Sequence, residues 1–256
     1  MRFLIIVLFS FSSLLMSGCW FDQENERESI TRGLSPKELY NLAEYELKSG
    51  NTEEAFNIYE NVLAAYPASK YSSQAKLRII YENYKAEKYD DAILATENYI
   101  SENPNDSSTP YAYYMRALIS EKLAKSILDD LVTDFAQRDI TSIISAFNYY
   151  LLLIEKFPDT SYADDAKKRL VKLRNAIARH ELFVAIFYTK KQVHIAAINR
   201  CKYIIETYPE TPSVPAAIHL MAENYKLIGQ IDLANDARRV LRSSYPNYIP
   251  HYSLKD

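Results

Sequence analysis

The sequence predicts an all-helical protein assembled from helix pairs, and three observations carry that expectation. Glycine is scarce: there are four in 256 residues, Gly18, Gly33, Gly50 and Gly229. Tight hairpin turns and phosphate-cradling loops therefore lack the residue they depend on. Apolar residues recur at three- and four-residue spacing in stretches such as LYNLAEYEL and AAIHLMAENY, the stripe of an amphipathic helix. Finally, AFNIYENVLAAYP, AILATENYISENP, AFNYYLLLIEKFP, AINRCKYIIETYP and ANDARRVLRSSYP each run from an alanine to a proline twelve residues later, at Ala55/Pro67, Ala92/Pro104, Ala146/Pro158, Ala197/Pro209 and Ala234/Pro246. A small side chain lets two helices approach closely, and proline cannot continue a helix, so each stretch reads as the second arm of a helical hairpin ending in a forced turn. The proline spacings are 37, 54, 51 and 37 residues, and the outer ones approach the tetratricopeptide period of about 34. The fold class is therefore all-α, a tetratricopeptide-like solenoid of five helix pairs.

The chain opens with an apolar run, Phe3 to Met16, led by Arg2 and closed by Ser17 and Gly18. This is the pattern of a signal-peptide core. It is too short for a membrane-spanning helix, which needs about 20 apolar residues, and Asp22-Gln23-Glu24 follows at once. The segment LLMSGC resembles a bacterial lipobox, with Met16 standing where leucine is usual. That resemblance implies cleavage before Cys19 and acylation of its sulfur and new amine. Two or three acyl chains, each contributing about 0.8 kcal/mol per buried CH₂, give stable anchoring where one is marginal. Residues 1–18 are thus read as a lipoprotein signal peptide, 19–34 as a lipidated linker, and 248–256 as a C-terminal tail.

The first arms precede the five proline-ended stretches: SPKELYNLAEYELKSGN, SKYSSQAKLRIIYENYKAEKYD, TPYAYYMRALISEKL, a long run from Tyr162 to about Lys191, and VPAAIHLMAENYKLIGQ. Ser35 followed by Pro36 is an N-cap with proline at the first helical position, and Gly50 and Gly229 are placed to close their helices. With each unit registered on its proline, Ala43, Ala185 and Ala222 share the small position of the first arm. Ile80 occupies it in the second unit, and the third has no clear counterpart. The run from Tyr162 exceeds the common helix length of about 20 residues and is expected to act as a stiff strut. Pairs one to three make an N-terminal half, 35–158, and pairs four and five a C-terminal half, 159–247.

Composition excludes several functions. The chain has a net charge of −3, and loss of residues 1–18 removes one further positive charge, so a phosphate backbone, and with it a nucleic-acid partner, is not expected. His180, His194, His219 and His251 show no metal-ligand spacing, no cofactor is expected, and no G-x-S-x-G elbow occurs. Cys201 falls on the apolar side of its helix and reads as a core thiol. Adjacent carboxylates such as Asp164 with Asp165 point to different helix faces, which does not suit paired acid and base work. The reading is not an enzyme. Solenoids of this kind present first arms on a concave face that binds other polypeptides. Tyr40 and Glu44 in the first unit, and Leu77, Tyr81 and Tyr84 in the second, share such faces. Tyrosine offers a large apolar body with a polar tip, so Tyr40, Tyr81 and Tyr84 are candidate substrate-peptide groove residues. Helix-to-helix packing is the other use of the same side chains. Lys167, Lys168, Arg169, Lys172, Arg174 and Arg179 read as a solvated helix face.

Residues 155–211, EKFPDTSYADDAKKRLVKLRNAIARHELFVAIFYTKKQVHIAAINRCKYIIETYPET, with YYMRAL at 113–118 and QRD at 137–139, resemble the BamD (ComL) family of outer-membrane assembly lipoproteins. The resemblance implies a lipid-anchored subunit of the machinery that folds β-barrel proteins into the outer membrane, facing the periplasm and tethered to outer-membrane lipid through Cys19. It implies that the N-terminal half receives unfolded barrel precursors, that the C-terminal half docks the periplasmic domain of the BamA-like barrel insertase, and that other assembly lipoproteins are partners. Trp20 after Cys19 fits, since aspartate there would resemble an inner-membrane retention signal. By the same resemblance the arginine of AINR, Arg200, contacts the insertase. It lies about 40° from Ile204 and about 60° from Ala197 around the helix, on the flank of the apolar stripe, where a guanidinium can meet a partner carboxylate. An intramolecular pair or a solvated arginine is the alternative at that position. Two other functions stay open: a tetratricopeptide lipoprotein scaffold of another envelope pathway such as cell-wall synthesis, and a lipid-anchored hydrolase.

Overall fold

A computed structural model describes residues 33–129 and 140–250, with the side chains of 125–129 excepted. The signal-peptide segment, Cys19, the QRD motif, His251 and most of the expected tail lie outside the described residues. Within them the chain is helical: α1 (Pro36–Ser49), α2 (Thr52–Ala65), α3 (Lys70–Lys85), α4 (Tyr89–Glu102), α5 (Thr109–Asp129), α6 (Thr141–Lys156), α7 (Ser161–Lys190), α8 (His194–Thr207), α9 (Val214–Leu227) and α10 (Ile231–Ser244). The long arm expected from Tyr162 is α7, 30 residues long.

The local signals act as their chemistry requires. Ser35 caps α1 by accepting from the Glu38 amide, while the Glu38 carboxylate accepts from the Ser35 amide and Pro36 opens the helix. This reciprocal box satisfies amides that the helix start would otherwise orphan. The turn inside a pair is one motif used four times. The residue two positions before the second arm is left-handed, at Gly50 (φ 88°), Glu87 (φ 60°), Gln192 (φ 61°) and Gly229 (φ 78°). The amide that follows it reaches back to the same place, from Asn51 to the Glu46 carbonyl, Lys88 to Asn83, Val193 to Tyr188 and Gln230 to Tyr225. Glycine adopts that backbone freely; Glu87 and Gln192 do so against the Cβ penalty.

The chain forms two compact units, residues 1–82 and 83–256. In the first, Leu39, Ala43, Ala55, Ile58, Tyr59, Val62 and Ala75 make a core, and the Ser72 hydroxyl donates to the Val62 carbonyl. In the second, α4 to α10 pack each on the next over a continuous core that includes Ala146, Tyr150, Leu153, Ala178, Ala185, Cys201, Ile204 and Ala222. All five repeat alanines and the first-arm residues Ala43, Ile80, Ala185 and Ala222 are fully buried. In the third unit Ser120, next to Glu121 as Ala43 is next to Glu44, is buried in α5 with its hydroxyl donating to the Arg116 carbonyl. A hydroxyl that bonds its own helix stays small enough for close packing.

One polar cluster in the second unit has no warning in the periodicity. Asn224, fully buried in α9, donates to the Thr189 hydroxyl of α7 and to the Leu220 carbonyl, each at 2.8 Å, and its Oδ1 lies 2.9 Å from His194 Nδ1 at the start of α8. Three helices thus meet on one amide whose hydrogen-bonding capacity is used.

Candidate functional site

The first unit places Tyr40 inside its own packing rather than on a free face. Its ring centroid is 5.7 Å from those of both Tyr59 and Tyr71, and burial followed by the Glu44 charge raises its phenol above the usual tyrosine value. Glu44 does not project into an open groove either. It accepts from the Tyr59 hydroxyl at 2.7 Å and from Arg78 at 2.8 Å. These bonds outweigh its desolvation and hold the carboxyl below its ordinary value, while Tyr59 is pushed well above its own. Tyr81 is the accessible member of the predicted set, 39% exposed, with the Arg78 guanidinium 5.8 Å above its ring. In the second unit the half-buried Tyr84 lies 6.2 Å from the ring of Tyr89.

The basic cluster of α7 divides: Lys167, Lys168 and Lys172 are exposed, the solvated face expected from composition, whereas Arg169 and Arg174 are partly buried and paired. Arg169 pairs with Asp165 on its own helix and with Glu121 of α5 at 3.0 Å. Tyr150 of α6 donates to the same Glu121, and Tyr114 of α5 donates to Asp165, each at 2.7 Å. Burial and the Asp165 bond push the Tyr114 phenol up to about 12, and the Arg169 and Tyr114 bonds lower Asp165. Arg174 pairs with Glu210 at 3.0 Å and Lys167 with Asp164 at 3.1 Å. The reason is topological: the first turns of α7 pack against α5, so a basic residue eight positions into the helix meets carboxylates that are remote in sequence.

Arg200 lies on α8 with Ala197 and Ile204 buried beside it, the flank position expected from the helical wheel. Its side chain is 44% exposed and donates through Nη1 to Glu181 of α7 at 2.9 Å. Glu181 is the inner partner, its side chain 11% exposed. Tyr203, one turn on and 42% exposed, meets the ring of Tyr208 edge-on at 5.6 Å. Burial, then the Tyr203 hydroxyl, raises the Tyr208 phenol, with the Glu181 charge adding to it. The intramolecular pair that sequence reasoning held as the alternative at Arg200 is present, and its partner Glu181 was not foreseen: the two are 19 residues apart on different helices, and only the packing of α7 on α8 joins them. The Tyr59 and Tyr150 hydroxyls were missed too, although both stand eight residues before a repeat proline, a register that would have paired them.

Among the described residues no group of three His, Cys, Asp or Glu side chains is placed to hold a metal ion, and no helix is long and apolar enough to cross a membrane. Cys201 is fully buried, and that burial pushes its thiol up to about 12, the state of an inert core cysteine. Each unit thus offers exposed rings beside arginine side chains, Tyr81 with Arg78 in the first and Tyr203 with Arg200 in the second.

Comparisons with known proteins agree with the lipoprotein resemblance. Residues 32–241 match the family model YfiO, described as outer membrane lipoprotein. The outer membrane protein assembly factor BamD of Xylella fastidiosa (strain Temecula1) is 30% identical over 236 residues, covering 92% of this chain and 80% of that protein. The BamD of Neisseria gonorrhoeae is 33% identical over 235 residues, covering 91% and 88%. Among solved structures, MamA aligns over 80% of this chain and 97% of its own with 15% identity and a TM-score of 0.38. With its family model spanning both units, the chain belongs to the YfiO outer membrane lipoprotein family, that of the BamD assembly factors.

Proposed function

We propose that the protein is a lipid-anchored subunit of the outer-membrane β-barrel assembly machinery, held on the periplasmic side of the outer membrane through Cys19. Residues 35–158 receive barrel precursors and residues 159–247 dock the periplasmic domain of the BamA-like insertase, with other assembly lipoproteins as further partners. The observation that carries this reading is the family match across residues 32–241, because it takes in both halves of the repeat array. Arg200 supports the docking role: its guanidinium is fixed on an exposed flank beside Tyr203, and arginine and tyrosine are the side chains that dominate binding energy at protein interfaces. Tyr81 supports the precursor role as an exposed ring backed by a guanidinium, a surface that accepts varied side chains at little entropic cost. Tyr40, packed against Tyr59 and Tyr71, and the half-buried Tyr84 are secondary contacts in this reading.

Site-specific photo-crosslinking in cells tests both assignments. A crosslinker at position 200 should capture the barrel insertase, and one at position 81 should capture barrel precursors. Capture of cell-wall enzymes at both positions would replace this reading with the envelope-scaffold alternative.

A further inference from the structure

We propose that Glu181 positions Arg200 for docking by holding one edge of its guanidinium, so that a partner carboxylate shares the arginine on its free edge instead of taking it over. The inference rests on the docking role given above to Arg200 and adds the geometry by which it binds.

The two ends of the pair are unequal. Glu181 belongs to the buried part of α7, between the fully buried Ala178 and Ala185, while Arg200 has nearly half of its side chain in solvent. A partner that pulled the guanidinium away would leave a buried carboxylate without its cation, which is costly. Sharing avoids that. Arginine carries five N–H groups in a rigid planar fork, and Glu181 engages one of them, at Nη1. The edge formed by Nε and Nη2 matches the two oxygens of a second carboxylate. The partner chemistry is therefore an aspartate or glutamate presented side-on, beside an apolar surface that covers the ring of Tyr203.

Two effects of Glu181 on such a partner oppose each other. Its charge repels the incoming carboxylate, but the shared guanidinium lies between the two and is nearer to each than they are to one another, so its attraction offsets that repulsion. Its bond to Arg200 removes rotamer freedom that binding would otherwise have to remove, and for a side chain as flexible as arginine this is the larger effect. Glu181 therefore strengthens docking, and it does so only through Arg200.

The experiment measures the affinity of the purified protein for the purified periplasmic region of its barrel insertase at about 150 mM salt, with thermal melting followed by circular dichroism. The variants are Glu181→Gln, Arg200→Ala and the double substitution. Glu181→Gln should weaken binding about fivefold, the entropic cost of one newly mobile side chain. Arg200→Ala should weaken it at least tenfold, as expected of an arginine hot spot, and the double variant should bind like Arg200→Ala alone. In melting, Arg200→Ala should fall further than the double variant, because the glutamine no longer leaves a buried charge unpaired. Should Glu181→Gln fail to fold, Arg200→Lys carries the test, since an ammonium can neutralise Glu181 but lacks the second planar edge; it should melt near wild type and bind at least threefold more weakly. Wild-type or tighter binding by Glu181→Gln, or an equal fivefold loss with Arg200 already removed, overturns the positioning role while leaving docking intact. Wild-type affinity in a folded Arg200→Ala variant overturns the docking reading as well.

Discussion

Replacing Tyr150 by phenylalanine removes one hydroxyl from the joint where α5, α6 and α7 meet, and its cost can be worked from the surroundings. The ring is fully buried and lies 6.2 Å from that of Tyr114; phenylalanine keeps that packing. What is lost is a 2.7 Å hydrogen bond to the Glu121 carboxylate, and bonds to charged groups contribute about 1.5–3 kcal/mol. Glu121 retains Arg169 at 3.0 Å, and its side chain is 23% exposed, so water replaces part of the loss and the lower end applies, about 1.5 kcal/mol. With a urea slope of about 2 kcal/mol/M for a unit of this size, the denaturation midpoint should fall by roughly 0.7 M at neutral pH. Tyr149→Phe is the control, because the adjacent ring engages Arg116 through its face, at 4.2 Å, and its midpoint should move by less than about 0.2 M. The pH dependence has a definite sign. Folded Tyr150 holds its proton above its unfolded value near 10, through burial and then the Glu121 bond. Its stabilisation is complete below that pH and is lost as pH rises toward the folded value, so the gap between wild type and variant should narrow above about pH 10. Coincident midpoints at pH 7 would refute the account of this joint.

The repeated left-handed turn gives opposite expectations at equivalent positions. Gly50→Ala, with open space around its new Cβ, should cost about 1 kcal/mol through backbone strain alone, whereas Gln192→Gly should gain up to about 1 kcal/mol; thermal melting of each checks the pair, and the same direction for both would refute it. Cys201, fully buried with its thiol pushed up to about 12, should resist aromatic disulfide reagents at pH 8 in the native protein and react in full in 6 M guanidinium. Rapid native labelling would mean that α8 opens far more readily than its packing suggests.

What the sequence made legible follows from what each signal measures. Helix periodicity and the alanine-to-proline spacing are local, so the pairs, the Ser35 cap, the Gly50 and Gly229 turns and the burial of Cys201 could all be read from them. The Glu87 and Gln192 turns lack glycine and could be read only by registering them on the repeat prolines. Side-chain partners across helices are non-local. Composition alone made Arg169 a solvated cation, yet the packing of α7 on α5 gives it two carboxylates. Tyr40 shows the same limit from the other side. A tyrosine on the expected groove face of a helix can turn into the space beside Tyr59 and Tyr71, and no spacing rule distinguishes that from exposure. Arg200 was placed correctly on its flank because a helical wheel is enough for that, while Glu181 required the fold.

The joints between consecutive pairs differ in chemistry although their backbones repeat. Tyr59 and Tyr150 stand eight residues before Pro67 and Pro158, and Arg78 and Arg169 stand eleven residues after those prolines. In both cases the tyrosine and the arginine converge on one glutamate, Glu44 or Glu121. The arginine comes from the first helix of the following pair, so the ion pair ties two repeats together with directional bonds. At the same positions around Pro104 and Pro209 the residues are Thr96 with Met115 and Cys201 with Leu220, all buried and with no charge among them, so no ion pair of this kind can form from those positions. The fifth pair completes the logic. Glu223 stands 23 residues before Pro246, as Glu44 does before Pro67, but the described residues contain no helix beyond α10 to supply its cation. The arginine appears instead at the tyrosine position of the same pair: Arg238 donates to Glu223 at 2.9 Å. In this pair the carboxylate is neutralised from within the pair, by an arginine at the position eight before the proline.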